Sequence, residues 1–345
     1  MKRYHIRTLG TVITILIVFT FVLSCAKNGI ISRYPSDGEE IEYKQDSRIV
    51  VNIEAGNCRK VVFYNNFAYV LDSLYGMHAI NLNDINEPVV EKSIRTPQPN
   101  DLCFIENKIY VSDYVQGIKI IDIEDNRNIK ISGEIKHPNQ TFSICSYKNY
   151  LVVTTLYTYY EKKYSDLIIY DIKNGNNPEK ISEIDKLPWI NDIQLNENFI
   201  YAAFDDSNNN SAGLLIIDVS DITSPALKGN IYISGFATGL AVLDNHVFLL
   251  EDTFGLKIID VSSAEKPVLS GGLEIGNHST DVILEDNYAY ISNGYDGLKK
   301  IYLTDLKKPE IVDNIETNGF VKSLFLSDKY IFLAAGRYLT VLNKF

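Results

Sequence analysis

The chain has 345 residues, 46% of them hydrophobic and 22% charged, and a formal net charge of −11. That composition is globular rather than disordered, and the length suits two ordinary domains or one large all-β domain. Without Lys2, Arg3 and Arg7, which lie in the first 24 residues, 30 basic side chains face 44 acidic ones, a net charge of −14. Such a field repels a phosphate backbone, so nucleic acid is not an expected partner.

The chain opens MKRYHIRTLGTVITILIVFTFVLSC, with three basic residues before an apolar run from Leu9 to Leu23. This is the layout of a secretory signal, and the run is shorter than the ~20 residues a spanning helix needs. Val22-Leu23-Ser24-Cys25 resembles a bacterial lipobox. The resemblance implies cleavage before Cys25, lipidation of that cysteine and a membrane held through the lipid. The alternative is a permanent N-terminal anchor with Cys25 incidental. Ala26 follows, where an aspartate would by the same resemblance mark inner-membrane retention, so the outer membrane or cell surface is expected. Residues 25–46 are polar and aperiodic and read as a flexible tether.

From residue 58 one unit recurs every 40 to 50 residues or so, the period of a four-stranded propeller blade. Two short apolar strands flank a polar turn such as Tyr64-Asn65-Asn66. A loop leads to a glycine, then a third strand ending near an aspartate, a turn and a fourth strand. The glycines are Gly76, Gly117, Gly213, Gly255 and Gly297. The turn prolines are Pro88, Pro178, Pro225, Pro267 and Pro309, with Asn128 replacing one. Abundant tyrosine and isoleucine favour strands. Asp122, Asp171, Asp218 and Asp260 read as turn-opening residues that bind nearby backbone N–H groups.

Six units fill residues 58–319. A seventh supplies only three strands, Val321–Leu326, Tyr330–Ala334 and Tyr338–Leu342. The pattern of residues 49–56 matches Val268–Gly276, so residues 47–56 are expected to complete blade seven beside Leu339 and seal the ring. The expected fold is therefore all-β, a seven-bladed propeller over residues 47–345. The stretches GIKIIDIED, GLLIIDVS and GLKIIDVS resemble the LVIVD repeat of secreted and surface propellers. The resemblance spans residues 58–345. It is weaker in blade one (GMHAINLND), in blade three, which lacks the glycine, and at Leu303-Thr304-Asp305 of blade six. It implies a propeller and no settled activity.

Aligned units place one residue per blade just before the first strand: Lys60, Asp101, Ser143, Asp192, Gly239, Asp281 and Lys322. Three carboxylates on alternate blades could bind a hard cation or hold a cationic group, or each could cap its own turn. Phe142, Trp189, Phe236 and Phe320 lie in links entering blades, as a recognition patch or as wedges between blades. Two loops are long. LYTYYEKKYSD in blade three carries Tyr157, Tyr159, Tyr160 and Tyr164, which suit a binding loop or pack on one another. Asp205, Ser207 and Asn209 in blade four have a faint calcium-loop spacing, or form a surface loop.

Motifs for nucleophilic, zinc or phosphate chemistry are absent from the sequence, and no cofactor is expected. Cys103 and Cys145 share a position in adjacent inner strands and read as buried free thiols rather than a disulfide. The expectation is a monomeric, lipid-anchored, non-catalytic module that binds a protein, peptide or glycan on the cell envelope. The alternatives are an extracytoplasmic hydrolase or lyase at the channel mouth, and a scaffold subunit of an envelope complex.

Overall fold

The computed structural model describes residues 30–33, 41–44, 46–174, 177–206, 211–276 and 278–344. The signal segment, Cys25, Ser207 and Asn209 lie outside these residues. The chain divides into two units, Met1–Ser47 and Arg48–Phe345. In the first, within the expected tether, Ile30–Arg33 pairs antiparallel with Ile41–Lys44.

The second unit is seven four-stranded antiparallel sheets. Blade one is Cys58–Tyr64, Phe67–Asp72, Gly76–Asn81 and Val89–Ile94. Blades two to six repeat this order, with first strands Pro99–Ile105, Gln140–Tyr147, Trp189–Asn196, Ala237–Leu243 and Ser279–Glu285. The first strands of successive blades pack side by side around a central channel, and the fourth strands lie outermost. Second and third strands are almost wholly buried, because each blade presses an apolar face on both neighbours. Their Val, Ile and Leu side chains form a chain of cores, each shared between adjacent blades. Cys58, Cys103 and Cys145 are free thiols.

The repeated aspartates open turns. The Oδ1 atoms of Asp122, Asp171, Asp218 and Asp260 accept the N–H two residues on, at 2.8–3.0 Å. Many units carry a second such aspartate three residues later: Asp221 Oδ1 accepts from Thr223 N. Asp305 of blade six is this second residue, accepting from Lys307 N, and Tyr302 occupies the first position. The strand-entry glycines have a steric cause. At Gly117 φ is +81° and a Cβ would lie 2.2 Å from the Ile135 carbonyl oxygen, so any side chain there is both strained and blocked.

Blade seven is Val321–Leu326, Tyr330–Ala335, Tyr338–Asn343 and, from the other end of the unit, Ile49–Glu54. Ile53 stands opposite Leu339, as the repeat pattern requires. Arg337 binds Glu54 at 2.6 Å and Arg48 pairs with Asp313 of blade six, which fastens the closing strand on two sides. Pairing this strand removes an open sheet edge.

Deleting residues 47–56 exposes that edge and uncovers Leu339 and Val341. A loss of several kcal/mol is expected, which at about 2–4 °C per kcal/mol or less lowers the melting temperature clearly. An unchanged melting temperature would show that the ring closes without this strand.

Candidate functional site

Each first strand contains one extra residue at its entry. Pairing with the second strand skips Arg59, Asn100, Asn191, Thr238, Thr280 and Lys322 in blades one, two, four, five, six and seven. In blade three the interruption falls at Phe142 and Ser143. A bulge of this kind re-aims side chains, so in blades one, two, four and six two successive residues line the channel mouth. It also frees backbone N–H groups. Asp101 N and Ser143 N find the hydroxyls of Ser112 (3.1 Å) and Thr154 (3.0 Å) instead.

The inner tier reads Lys60, Asp101, Ser143, Asp192, Gly239, Asp281 and Ser323. The outer tier reads Arg59, Asn100, Phe142, Asn191, Thr238, Thr280 and Lys322. Sequence alignment placed Lys322 in the inner tier. The structure corrects this by one residue: Ser323 takes that place and Lys322 stands beside Arg59 in the outer tier. The bulge hides the shift, because nothing in the residue pattern of a single blade marks which residue is extra.

The three aspartates do more than cap their own turns. Asp101 Oδ1 and Asp192 Oδ1 accept from the next residue, Leu102 N and Ile193 N, at 2.9 Å. Their Oδ2 atoms cross to the following blade, to Ile144 N (3.1 Å) and Leu240 N (2.9 Å). Asp281 Oδ2 reaches Leu324 N at 3.3 Å. Each crossing passes a small inner-tier residue, and Ser143 Oγ adds a bond to Asp101 at 3.1 Å. Lys60 Nζ lies 3.3 Å from Asp281 and 3.9 Å from Asp101. Burial opposes its charge, but Asp281, Asp101 and Asp192 together outweigh that and hold the ammonium above its ordinary range. Burial also raises the Asp192 carboxyl. Lys60 opposes the rise and the charges of Asp101 and Asp281 add to it, so the group is pushed up to about 7.

These four residues line two spaces. Below is the channel, about 320 Å³, walled by first-strand side chains such as Ile193, Gln194 and Val242. Above is an open funnel of about 600 Å³. Phe142, Trp189, Phe236 and Phe320 all line the funnel. Phe142 packs edge-on to Trp189 (5.9 Å) and to Tyr114 (5.6 Å), so these rings wedge neighbouring links and also face the opening. Phe320 meets Tyr295 at 5.1 Å. Phe236 is 51% exposed.

The blade-three insertion is a long hairpin of Tyr150–Tyr159 and Lys162–Asp171, turning at Tyr160-Glu161 with positive φ at both. Tyr157 and Tyr164 are cross-strand partners that stack at 6.0 Å, and Tyr157 Oη donates to Asp166. Tyr159 and Tyr160 remain exposed at the tip, 56% and 82%. Lys163 sits 4.0 Å over the Trp189 ring, which joins the hairpin to the funnel rim. Asp205 also lines the funnel, as a strand residue only 6% exposed. No metal-type cluster occurs among the described residues.

Other exposed apolar groups on this face escaped the sequence reading. Leu74, Tyr75, Val115 and Tyr295 stand in loops between second and third strands. Their signal was present: DSLYG, DYVQG, DTFG and NGYDG set an apolar or aromatic residue inside the same short loop.

A family model described as the LVIVD repeat matches residues 190–232 and 234–273, which are blades four and five. No curated protein matches the chain. Among solved structures, the chain is similar to hydrazine synthase of Kuenenia stuttgartiensis at 13% identity and a TM-score of 0.68, covering 85% of this chain and 97% of that one. It is also similar to the computationally designed Ika8 protein at 11% identity and a TM-score of 0.60, covering 86% of this chain and 100% of the other. At these identities the likeness is one of fold.

The raised Asp192 carboxyl has a signed consequence. Between about pH 4 and pH 7 the folded protein keeps a proton that the unfolded chain releases, so this group's contribution to stability falls as pH rises. Asp192→Asn removes that contribution. The melting temperature of the variant relative to the parent is expected to climb steadily through this window. A constant difference would show that Asp192 ionises like an exposed carboxylate.

Proposed function

We propose that this LVIVD-repeat propeller is an exported, lipid-anchored, non-catalytic binding module of the cell envelope, with its partner taken on the funnel face. The observation that carries the reading is the concentration of exposed aromatic and apolar side chains there. Phe236 lines the funnel, Leu74, Tyr75, Val115 and Tyr295 are exposed in the loops between second and third strands, and Tyr159 and Tyr160 are exposed at the tip of the blade-three hairpin. Exposed apolar groups gathered beside polar ones mark interaction surfaces, and tyrosine gives contact area at low entropic cost. Seven interlocked sheets make the frame rigid, so little ordering cost falls on binding. The basic, apolar and Cys25 sequence of the N-terminus supports export and a lipid anchor on the outer membrane or cell surface. The partner is a protein, peptide or glycan.

A hydrolase or lyase is the second reading, favoured by Asp192 near neutrality beside Asp101. Against it, the Asp101 and Asp192 oxygens already hold backbone N–H groups of two blades, and Lys60 stands among the carboxylates. That is the arrangement of a fastening rather than of free acid and base.

Crosslinking and pull-down of the full chain from its own membrane separate the readings. Tyr159→Ala/Tyr160→Ala is expected to lower recovery of a defined partner about tenfold or more with the melting temperature unchanged, as loss of two interface aromatics does. Equal recovery from parent and variant would remove the hairpin from the binding surface.

A further inference from the structure

In four blades an acid closes the second strand opposite the entry of the first. Asp72 faces Cys58 there, Asp113 faces Pro99, Asp205 faces Trp189 and Glu251 faces Ala237. All four are buried. Three are held within their own blade. Asp72 accepts from Asn57 N and Leu74 N at 3.2 and 2.7 Å, and Asp113 from Gln98 N, Val115 N and Gln116 N at 2.8–3.0 Å. Glu251 accepts from the Thr253 hydroxyl and stands 3.8 Å from Lys257. Asp205, only 6% exposed, has no hydrogen bond or ion pair among the described residues. The cause is local. Strand Phe199–Asp206 runs on past Asp205 into a ladder with Ser211, where the strands of blades one and two stop and turn.

This carboxylate lines the funnel. Burial raises its pKa, the Lys163 charge opposes the rise and Asp206 adds to it. A desolvated carboxylate without a donor is costly until one arrives. The surroundings favour a cation. The funnel lining carries five carboxylates, Asp101, Asp192, Asp205, Asp252 and Asp281, against Arg59, Lys60 and Lys322. Lys60 is engaged by Asp281 and Asp101, and the Asp101 charge acts on Arg59. Arg59 and Lys322 stand in blades one and seven, the two blades farthest from blade four around the ring. The blade-four wall is instead acidic and aromatic, with Asp205 directly opposite Trp189. One ammonium of the chain already uses that ring: Lys163, exposed on the hairpin, sits 4.0 Å over Trp189.

Resting on the reading of the funnel face as a binding surface, we propose that the blade-four wall takes a basic side chain of a protein or peptide partner. Its lysine or arginine cation meets the Asp205 carboxylate, and its apolar stem lies against the aromatic lining. The funnel is open, which suits a side chain reaching in from a partner's surface. A neutral glycan finds less there. The outer-tier amides and hydroxyls of Asn100, Asn191, Thr238 and Thr280 already donate to carbonyls of the next blade. A hard metal ion needs several converging oxygen ligands, and no such cluster occurs among the described residues.

Calorimetric titration of the full chain in detergent tests this with three probes: a tetralysine peptide capped at both ends, the matching glutamine peptide, and calcium chloride. The lysine peptide is expected to bind about tenfold or more tightly than the glutamine one. Asp205→Asn is expected to abolish that preference. Asp286→Asn, in an exposed turn between first and second strands, is expected to keep it. Lys163→Gln withdraws a competing charge and is expected to tighten the lysine peptide. Asp205 holds nothing within the fold, so Asp205→Asn is expected to melt no lower than the parent. Equal binding of the two peptides, a preference that survives Asp205→Asn, calcium bound in place of the peptide, or a lowered melting temperature of Asp205→Asn would overturn the proposal. If the membrane partner is still captured by Asp205→Asn and lost only with Tyr159 and Tyr160, the binding-module reading stands and the Asp205 site falls alone.

Discussion

An odd number of blades has to be closed at the axis. The inner tier alternates between an aspartate and a small residue: Asp101 and Ser143, Asp192 and Gly239, Asp281 and Ser323. Each carboxylate of an even blade reaches across the small residue to the backbone of the next, at Ile144, Leu240 or Leu324. Three such pairs use six blades. The seventh position is left between Ser323 and Asp101, and Lys60 occupies it, with its ammonium directed at Asp281 and Asp101. One cation among three carboxylates leaves the floor net negative, which fits a proton held on Asp192 near neutral pH. The cluster therefore closes the ring and sets the electrostatic character of the funnel above it.

The two tiers differ in the fate of their charges. In the inner tier each charge has partners within the fold, and the blades depend on them. In the outer tier Arg59 and Lys322 form no ion pair among the described residues, although the Asp101 charge acts on Arg59, while Asn100, Asn191, Thr238 and Thr280 donate to backbone carbonyls of the next blade at Phe142, Ala237, Ser279 and Val321. The bulge lets both tiers fasten neighbouring blades, the inner one through carboxylates that accept backbone N–H groups and the outer one through amides and hydroxyls that donate to backbone carbonyls.

Much of this was legible in the sequence because repetition is legible. Six four-stranded units and a three-stranded seventh, five of them marked by a glycine, set the blade count, and the unmatched Ile49–Gly56 segment pointed to the closing strand with Ile53 beside Leu339. Trp189, Phe142 and the alternating aspartates were found because they stand at fixed distances from that repeat. Lys322 was displaced by one residue because a bulge changes which side chain faces inward without altering composition. Arg59 was missed for the same reason, since it stands one residue outside the aligned column. The crossing bonds of the aspartates depend on neighbours more than 40 positions away, which no local pattern records.

The most direct test of the closure account is the thermal stability of Lys60→Met at about pH 5 and about pH 8. Removing one partner from a largely desolvated charge cluster costs about 3–5 kcal/mol. Protonation of the abandoned carboxylates relieves part of that at low pH. The account predicts a clear fall in melting temperature at the higher pH and a smaller fall at the lower. A variant as stable as the parent at both would show that the ring closes without Lys60, and that the aspartates at the axis are not organised around it.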